Sequence, residues 1–277
     1  MAWDASLRLR FEQRGETTVL CERAHCGPLR VQKALYPEAG AHKGICHTVI
    51  LHPPAGIAGG DALRISAEVD AHSHVVLSTP GASKWYKSNG QLATMHTDLK
   101  VADNAVLEYL PQDTIFFDAC QAEVHWQLQM HDSSRFIGWD CVQFSRSGQW
   151  RAGRAQLRSD IRVHDRLIWS ERADWQALAD DFSSMTGLAG HSVMGTLWAI
   201  APRIDAALIE QLQLSLPFTE QLKAGMTCVQ KGQQQLLLMR VLADEAEPAK
   251  NLMIKIWSAL RSALLAVPAQ PLRLWAT

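Results

Sequence analysis

The chain has 277 residues, of which 47% are apolar and 20% charged, so it can bury a large core and does not belong to the disordered class. Its formal charge of −1 and its pI near 6.8 give no electrostatic reason to expect binding to nucleic acid or to an anionic membrane. The sequence starts without a secretory leader and has no apolar run of about 18 residues, which predicts a cytoplasmic protein.

Short runs typical of β-strands recur from residue 45 to about residue 171, rich in β-branched and aromatic residues and separated by Gly, Asp, Asn and Ser. The runs are ICHTVIL, LRISAEV, HVVLST, AVLEYL, TIFF, EVHWQLQM and RLIWSE. In LRISAEV and EVHWQLQM, apolar and polar residues alternate, which places the apolar set on one face of a sheet. Since no amphipathic helices alternate with these runs, a doubly wound parallel sheet is not expected. Residues 1–171 are therefore predicted to be mainly β.

From about residue 172 the pattern becomes mixed. Apolar residues spaced by four predict helices near 203–216 and 248–265. Between them, TCVQKGQQQLLLMRV predicts a hairpin that turns at Lys231-Gly232. The apolar face of the second helix, with Trp257 beside it, fits either a core position or a surface that docks a partner. Without a marked linker, 1–277 is interpreted as one domain.

Two loops combine turn residues with polar side chains, HPPAGIAGGD (52–61) and STPGASKWYKS (78–88). Proline removes a donor and fixes φ, and glycine permits positive φ, so both segments are expected to be shaped bends. Neither loop contains the GK[ST] of a phosphate loop. The loop residues singled out are Pro53, Pro54, Gly56, Gly59, Gly60, Pro80, Gly81 and Lys84.

Three acids stand in apolar surroundings: Asp61 after a glycine pair, Asp140 in FIGWDC and Glu171 in LIWSER. A buried carboxylate must be paired, hydrated or placed for a cation, because an isolated one is costly. Two readings remain open at this point, an ion pair with a basic residue near Arg172 or a set of oxygens that meets a cation.

Metal and catalytic motifs are weak in this sequence. His72 and His74 would share a face of an extended segment, but no HExxH or paired-cysteine spacing supports a closed site. Six scattered cysteines form no CxxC pair, and no GxSxG elbow marks a nucleophile. A cytoplasmic hydrolase with an unrecognised site stays as the alternative function.

Six segments together resemble one family. GPLRVQKALYP (27–37), CHTVILHPPAGIAGGD (46–61), STPGASKWYKS (78–88), LEYLPQDTIFFD (107–118), RFIGWD (135–140) and PLRLWAT (271–277) are similar, in this order, to segments of the urease accessory protein D family, UreD, called UreH in some organisms. No motif can be matched between about residues 176 and 250.

The resemblance implies a mainly β fold, with layered strands in a β-helix-like stack and a few helices in the C-terminal third. It also implies a protein that is not an enzyme, binds apo-urease and recruits accessory proteins F and G. GTP would belong to protein G, no cofactor would be tightly bound here, and nickel would pass transiently. A dimer of such heterocomplexes is an assembly that the resemblance allows.

An internal, water-filled passage for nickel is part of the family's proposed mechanism. Asp61 and Asp140, which lie in matching segments, and Glu171 are candidates to line it, with Ser83 as a polar lining residue. Nickel accepts oxygen ligands as well as imidazole, and spaced carboxylates would bind it weakly enough to release it.

Overall fold

A computed structural model describes residues 2–54, 56–145 and 150–276 of the chain. The strands are β1 Asp4–Arg14, β2 Thr17–Cys26, β3 Arg30–Val31, β4 Cys46–Leu51, β5 Ala62–Val69, β6 His74–Ser78, β7 Ser83–Trp85, β8 Ala93–Val101, β9 Val106–Leu110, β10 Thr114–Phe116, β11 Cys120–Met130, β12 Arg135–Phe144, β13 Gly153–Val163, β14 Arg166–Gln176, β15 Val193–Ala201, β16 Leu222–Lys231 and β17 Gln234–Ala243. The helices are α1 Ala206–Leu214 and α2 Ala246–Leu265, with 3₁₀ turns at Gly40–His42, Asp180–Phe182 and Arg273–Ala276.

The described strands form two sheets. The first sheet has the order β14-β13-β11-β8-β5-β1-β2, and the second has the order β16-β17-β15-β12-β9-β6-β4-β3, with β10 joining β7 to β12. In the first sheet β1, β5, β8, β11 and β13 are parallel neighbours, as are β4, β6, β9 and β12 in the second. Because the chain alternates between the sheets as it moves from β4 to β13, its coils stack. The predicted β-helix-like stack is confirmed.

Apolar side chains from both sheets fill the space between them. The alternation predicted for LRISAEV is confirmed, since all four of its inward residues are buried on β5: Leu63, Ile65, Ala67 and Val69. On β11, Trp126, Leu128 and Met130 are buried in the same core, while Val124 is half-buried. Fully burying one such side chain stabilises the fold by about 1.5–3 kcal/mol, so this core is the main source of stability.

A second core lies on the other face of the second sheet, where α2 packs. Ile256, Trp257 and Leu260 of α2 are buried there against residues such as Trp139 of β12 and Met239 of β17. All nine residues of β15 are buried because both of its faces are covered. The apolar face of α2 is therefore core and is not a free docking surface.

The helix predictions hold, with shifted ends. In α1 the carboxylate of Asp205 accepts a hydrogen bond from the Ala207 N–H at 3.0 Å, so the helix begins three residues later than residue 203. The helix α2 begins at Ala246 and ends at Leu265, and the left-handed Ala266 (φ 54°) follows it. Among the described residues, no helix is long and apolar enough to cross a membrane.

A buried charge network fastens α2 to the second sheet. The fully buried Arg261 donates from Nε to both Glu108 oxygens at 3.0 Å and from Nη2 to Glu38 at 2.6 Å. Its Nη1 donates to the Pro268 carbonyl at 2.7 Å. A guanidinium is tolerated in a core only when its donors are satisfied in this way.

Glu108 is held by two further side chains. Trp257 donates from Nε1 to its Oε2 at 2.8 Å, and Nε2 of His74 lies 2.9 Å from its Oε1. Burial alone would raise the pKa of Glu108, but the hydrogen bond and charge of His74 and the charge of Arg261 lower it below its usual range. Glu108 is therefore a carboxylate that depends on its neighbours to stay ionised.

Candidate functional site

A cavity of about 310 Å³ lies between the two sheets and is lined by both. Its apolar wall includes Ile65, Met95, Trp126 and Leu157. Its polar lining consists of Asp140, Glu171, Arg240, Thr196, Thr97, Tyr109, Ser83, Lys84 and His52, among others. A concave, mostly apolar space with a few converging polar groups is the usual form of a binding site or passage in a protein.

Asp140 stands on β12 opposite Thr196 of β15, a neighbour that favours the charged form of its carboxyl group. The residue as a whole is half-buried and lines the cavity, and protein surrounds its carboxyl group. This burial raises the pKa of Asp140 to about 7, helped by the negative charge of Glu171 and opposed by the positive charge of Arg240. Its Oδ1 is buried and has no hydrogen-bond partner among the described residues. Near neutral pH this group exists in both protonation states.

Glu171 and Arg240 form an ion pair that crosses the cavity. Glu171 lies on β14 of the first sheet and Arg240 on β17 of the second, and Nη2 of Arg240 donates to Oε1 of Glu171. Both side chains remain more than a quarter exposed, at 29% and 28%. An ion pair of Glu171, one of the two readings left open by the sequence, is thus present. Its partner is not a residue near Arg172, because the pleat turns Arg172 outward and the inward partner comes from the opposite sheet.

Strand β7 and the turn before it form part of the cavity wall. Pro80, Gly81, Ser83 and Lys84 all line the cavity, and the Ser83 N–H is fixed by the Asp113 carbonyl at 2.8 Å. Gly81 is exposed, so the cavity reaches the surface beside this loop. The structure thus brings Ser83, Asp140 and Glu171 to one space, as the sequence analysis expected of lining residues.

Asp61 does not line the cavity. It is 3% exposed, and its Oδ1 accepts a hydrogen bond from the Trp3 N–H at 2.7 Å and its Oδ2 one from the Ala58 N–H at 2.8 Å. These bonds tie the 52–61 loop to the start of β1. Asp61 has the geometry of a residue that fixes a loop, and its expected place in the lining is corrected accordingly.

Each glycine of the 52–61 loop is suited to its position for a different physical reason. A Cβ on Gly56, which lines the cavity, would lie 1.9 Å from the Tyr86 ring, so only glycine fits beneath that ring. Gly60 has φ of +92°, which side chains rarely adopt, and Gly59 lies against the Ser88 hydroxyl. The two prolines, Pro53 and Pro54, are exposed in the turn that follows β4. The loop is a shaped bend, as predicted.

The histidine pair expected as a weak metal site is divided between two environments. His74 lies against Glu108 in the buried network, whereas His72 is exposed in the turn before β6 with φ of 64°. Within the described ranges neither residue belongs to a group of three or more ligand side chains. A metal site at these two histidines stays a prediction.

Sequence reasoning missed Arg240 and His52 as lining residues. Arg240 is the one charge in the apolar run LLLMRVLA. A single charge in such a run indicates a residue that needs a partner inside the fold. His52 follows β4, and burial lowers its pKa while the charge of Asp61 opposes the shift, which favours a neutral imidazole. Its Nε2 has no partner among the described residues.

The fold and the cavity define a class of protein: stacked β-coils of two sheets, with a helix on the outside and an acid-lined space within. The chain belongs to the family described as UreD urease accessory protein, whose model matches residues 4–276.

Curated relatives agree with this assignment. The protein named urease accessory protein UreD of Cupriavidus pinatubonensis is 46% identical over 279 residues, which cover 100% of this chain and 95% of that relative. The protein of the same name from Cupriavidus necator is also 46% identical with the same coverage. That of Bordetella pertussis is 40% identical over 280 residues, covering 99% of this chain and 98% of the relative.

Proposed function

We propose that this protein is a scaffold in urease maturation that binds apo-urease, recruits accessory proteins F and G, and assists nickel insertion into the urease active site. The observation that supports the proposal best is similarity over the full chain to proteins named urease accessory protein UreD. In this proposal the chain carries out no turnover, and GTP is bound by protein G alone.

The cavity between the sheets is the proposed nickel passage. Asp140 and Glu171 supply carboxylate oxygens, Ser83 supplies a hydroxyl, and His52 supplies a neutral imidazole, all along one continuous lining. Nickel accepts both oxygen and imidazole ligands. Arg240 lies among these groups, and its positive charge weakens cation binding there. A passage must release its ion, so weak binding by separated ligands suits it better than a closed cage.

Neutralising the two cavity acids tests the passage separately from assembly. Asp140→Asn and Glu171→Gln are each expected to lower the nickel content and activation of urease in cells that express the complete set of accessory proteins. Co-purification of the chain with urease subunits and protein F should remain at the wild-type level. Normal nickel content in both variants would rule out these acids as passage residues.

Asp174→Asn is the matched control, because Asp174 lies on the same strand as Glu171 but faces outward and pairs with Arg154 at 2.7 Å. It should activate urease normally.

A second pair of variants tests the space itself. Ala173→Phe adds bulk to the cavity lining, whereas Arg172→Phe adds the same ring on the exposed face of β14. Only the first should reduce nickel content.

The scaffold role has its own test. Cells that lack this chain should make intact apo-urease with little nickel, and re-expression should restore nickel loading. If urease is loaded normally in its absence, the role in maturation is wrong, whatever the result for the passage.

A further inference from the structure

A second cluster of ligand side chains lies outside the cavity, where the turns of the stack meet at one edge. His131 and Asp132 stand in the turn between β11 and β12, and His164 stands in the turn between β13 and β14. One ligand atom from each lies within 4.8 Å of the others. In the described part of the chain this is the one such group of three or more.

The distances match those within a coordination sphere. Nδ1 of His131 lies 3.1 Å from Oδ1 of Asp132, and Nε2 of His164 lies 3.4 Å from Oδ2 of the same carboxylate. Ligands bound at 2.0–2.2 Å to a tetrahedral ion lie about 3.3–3.6 Å from one another. The three groups can therefore surround one ion after small rotations of their side chains.

Backbone hydrogen bonds hold the two turns in place. The His131 N–H donates to the Val101 carbonyl at 2.9 Å, and the His164 N–H donates to the Met130 carbonyl at 2.9 Å. The second bond ties the β13–β14 turn to the end of β11, so the two imidazoles are neighbours with ring centroids 4.6 Å apart. A site held by rigid strand ends loses little conformational entropy on binding.

The charge and exposure of the cluster suit a cation. Asp103, in the turn after β8, places Oδ1 3.1 Å from Nδ1 of His131, so two carboxylates surround the imidazoles. The side chains of His131, Asp132 and His164 are 39%, 30% and 53% exposed, which leaves the ligand atoms accessible from solvent. None of these three residues lines the cavity between the sheets, so the cluster is separate from it.

We propose that His131, Asp132 and His164 form a surface binding site for a divalent transition metal ion of the zinc, nickel or copper type. Two imidazoles and one carboxylate favour these ions over magnesium and calcium, which prefer oxygen ligands. Asp103 is placed to act as a fourth ligand, because its Oδ1 lies beside the same Nδ1 of His131. The site is independent of the proposed role in urease maturation.

The test is metal binding by the purified full-length protein, carrying no polyhistidine tag. Ni²⁺ and Zn²⁺ are each measured by equilibrium dialysis with elemental analysis. The wild type should bind one more equivalent than His164→Asn and His131→Ala, or bind that equivalent at least about 10-fold more tightly. Asparagine is chosen at residue 164 because φ there is 50°, a left-handed conformation that asparagine tolerates.

His96→Ala is the matched control. His96 is an accessible histidine whose Nε2 lies 3.3 Å from a Glu123 oxygen, but it belongs to no group of three ligands within the ranges described. This variant should bind metal as the wild type does. Equal binding by His164→Asn, His131→Ala and the wild type would overturn the proposal, as would an equal loss in His96→Ala.

A second measurement keeps the test valid if a variant is unstable. In the NMR spectrum of the wild type, substoichiometric Ni²⁺ should broaden the imidazole signals of His131 and His164 before those of the other histidines. Broadening that starts elsewhere contradicts the proposed site.

Discussion

As the pH rises, the Asp140→Asn variant is expected to gain stability relative to the wild type. The pKa of Asp140 is raised from 3.8 to about 7 by burial, and each unit corresponds to about 1.4 kcal/mol. Full ionisation of this carboxyl in the folded state therefore costs up to about 4 kcal/mol. Because Asp140 is an acid whose pKa is raised on folding, the folded protein loses stability as the pH rises. The loss begins above the pKa of Asp140 in the unfolded chain and is complete above its pKa in the folded protein.

The measured quantity is the change in the free energy of unfolding between two pH values. At about pH 5 the unfolded chain has an ionised Asp140 while the folded protein keeps the proton, and at about pH 8 both are ionised. Over that interval the wild type should lose about 2 to 3 kcal/mol through this group, whereas the asparagine variant has no proton to lose. Other titrating groups contribute equally to both proteins, so they cancel in the variant-minus-wild-type difference.

Urea unfolding of both proteins at the two pH values, analysed with a common slope, measures this difference. Asp174→Asn is the control, because the hydrogen bond and charge of Arg154 lower the pKa of Asp174 and leave it ionised throughout the interval. The difference in the free energy of unfolding between this variant and the wild type should be the same at both pH values. If the Asp140→Asn difference is also the same at both pH values, the carboxyl is not desolvated and the account of the cavity is wrong. A stable variant that fails to load nickel would separate function from folding.

Variants at two further places test structural assignments by urea unfolding. Arg261→Met removes the guanidinium that pairs with the buried Glu108. It should lower the free energy of unfolding by about 3–5 kcal/mol. Adding Glu108→Gln should cost less than the sum of the single effects, and strict additivity would contradict the network. Asp61→Asn turns an amide donor toward the N–H of Trp3 or Ala58 and should cost about 1–3 kcal/mol. Faster hydrogen exchange at Ala58 should accompany it, and unchanged stability and exchange would show that the loop does not depend on Asp61.

Local pattern predicted about half of the strands, and those it missed include strands with and without alternation. LRISAEV and EVHWQLQM alternate because one face of the first sheet meets solvent, and their strands lie where they were expected. β15, in VMGTLWAIA, has no alternation because both faces are covered, and it was not predicted. β1 does alternate through Leu7, Leu9 and Phe11, so its signal was present although only the segments after residue 45 were interpreted as strands.

The candidate site was predicted in part for a similar reason. An acid alone among apolar residues indicates a buried carboxylate, and this signal singled out Asp140 and Glu171. The same signal singled out Asp61, whose backbone hydrogen bonds give it a different role. Sequence cannot distinguish these cases, because a carboxylate satisfied by local N–H groups and one facing a cavity have the same neighbours along the chain.

The amino-acid sequence by itself determined the β character of the chain, the long helix at its end, the two shaped loops and the family to which the chain belongs. Only the tertiary structure decided which distant groups meet. Arg240 reaches Glu171 across the two sheets, and His164 reaches His131 from a turn two strands further along the chain. The parallel register of β11 and β13 sets the histidine pair, whereas the facing of the two sheets sets the ion pair. Both depend on strand pairing over long range, which no local pattern records.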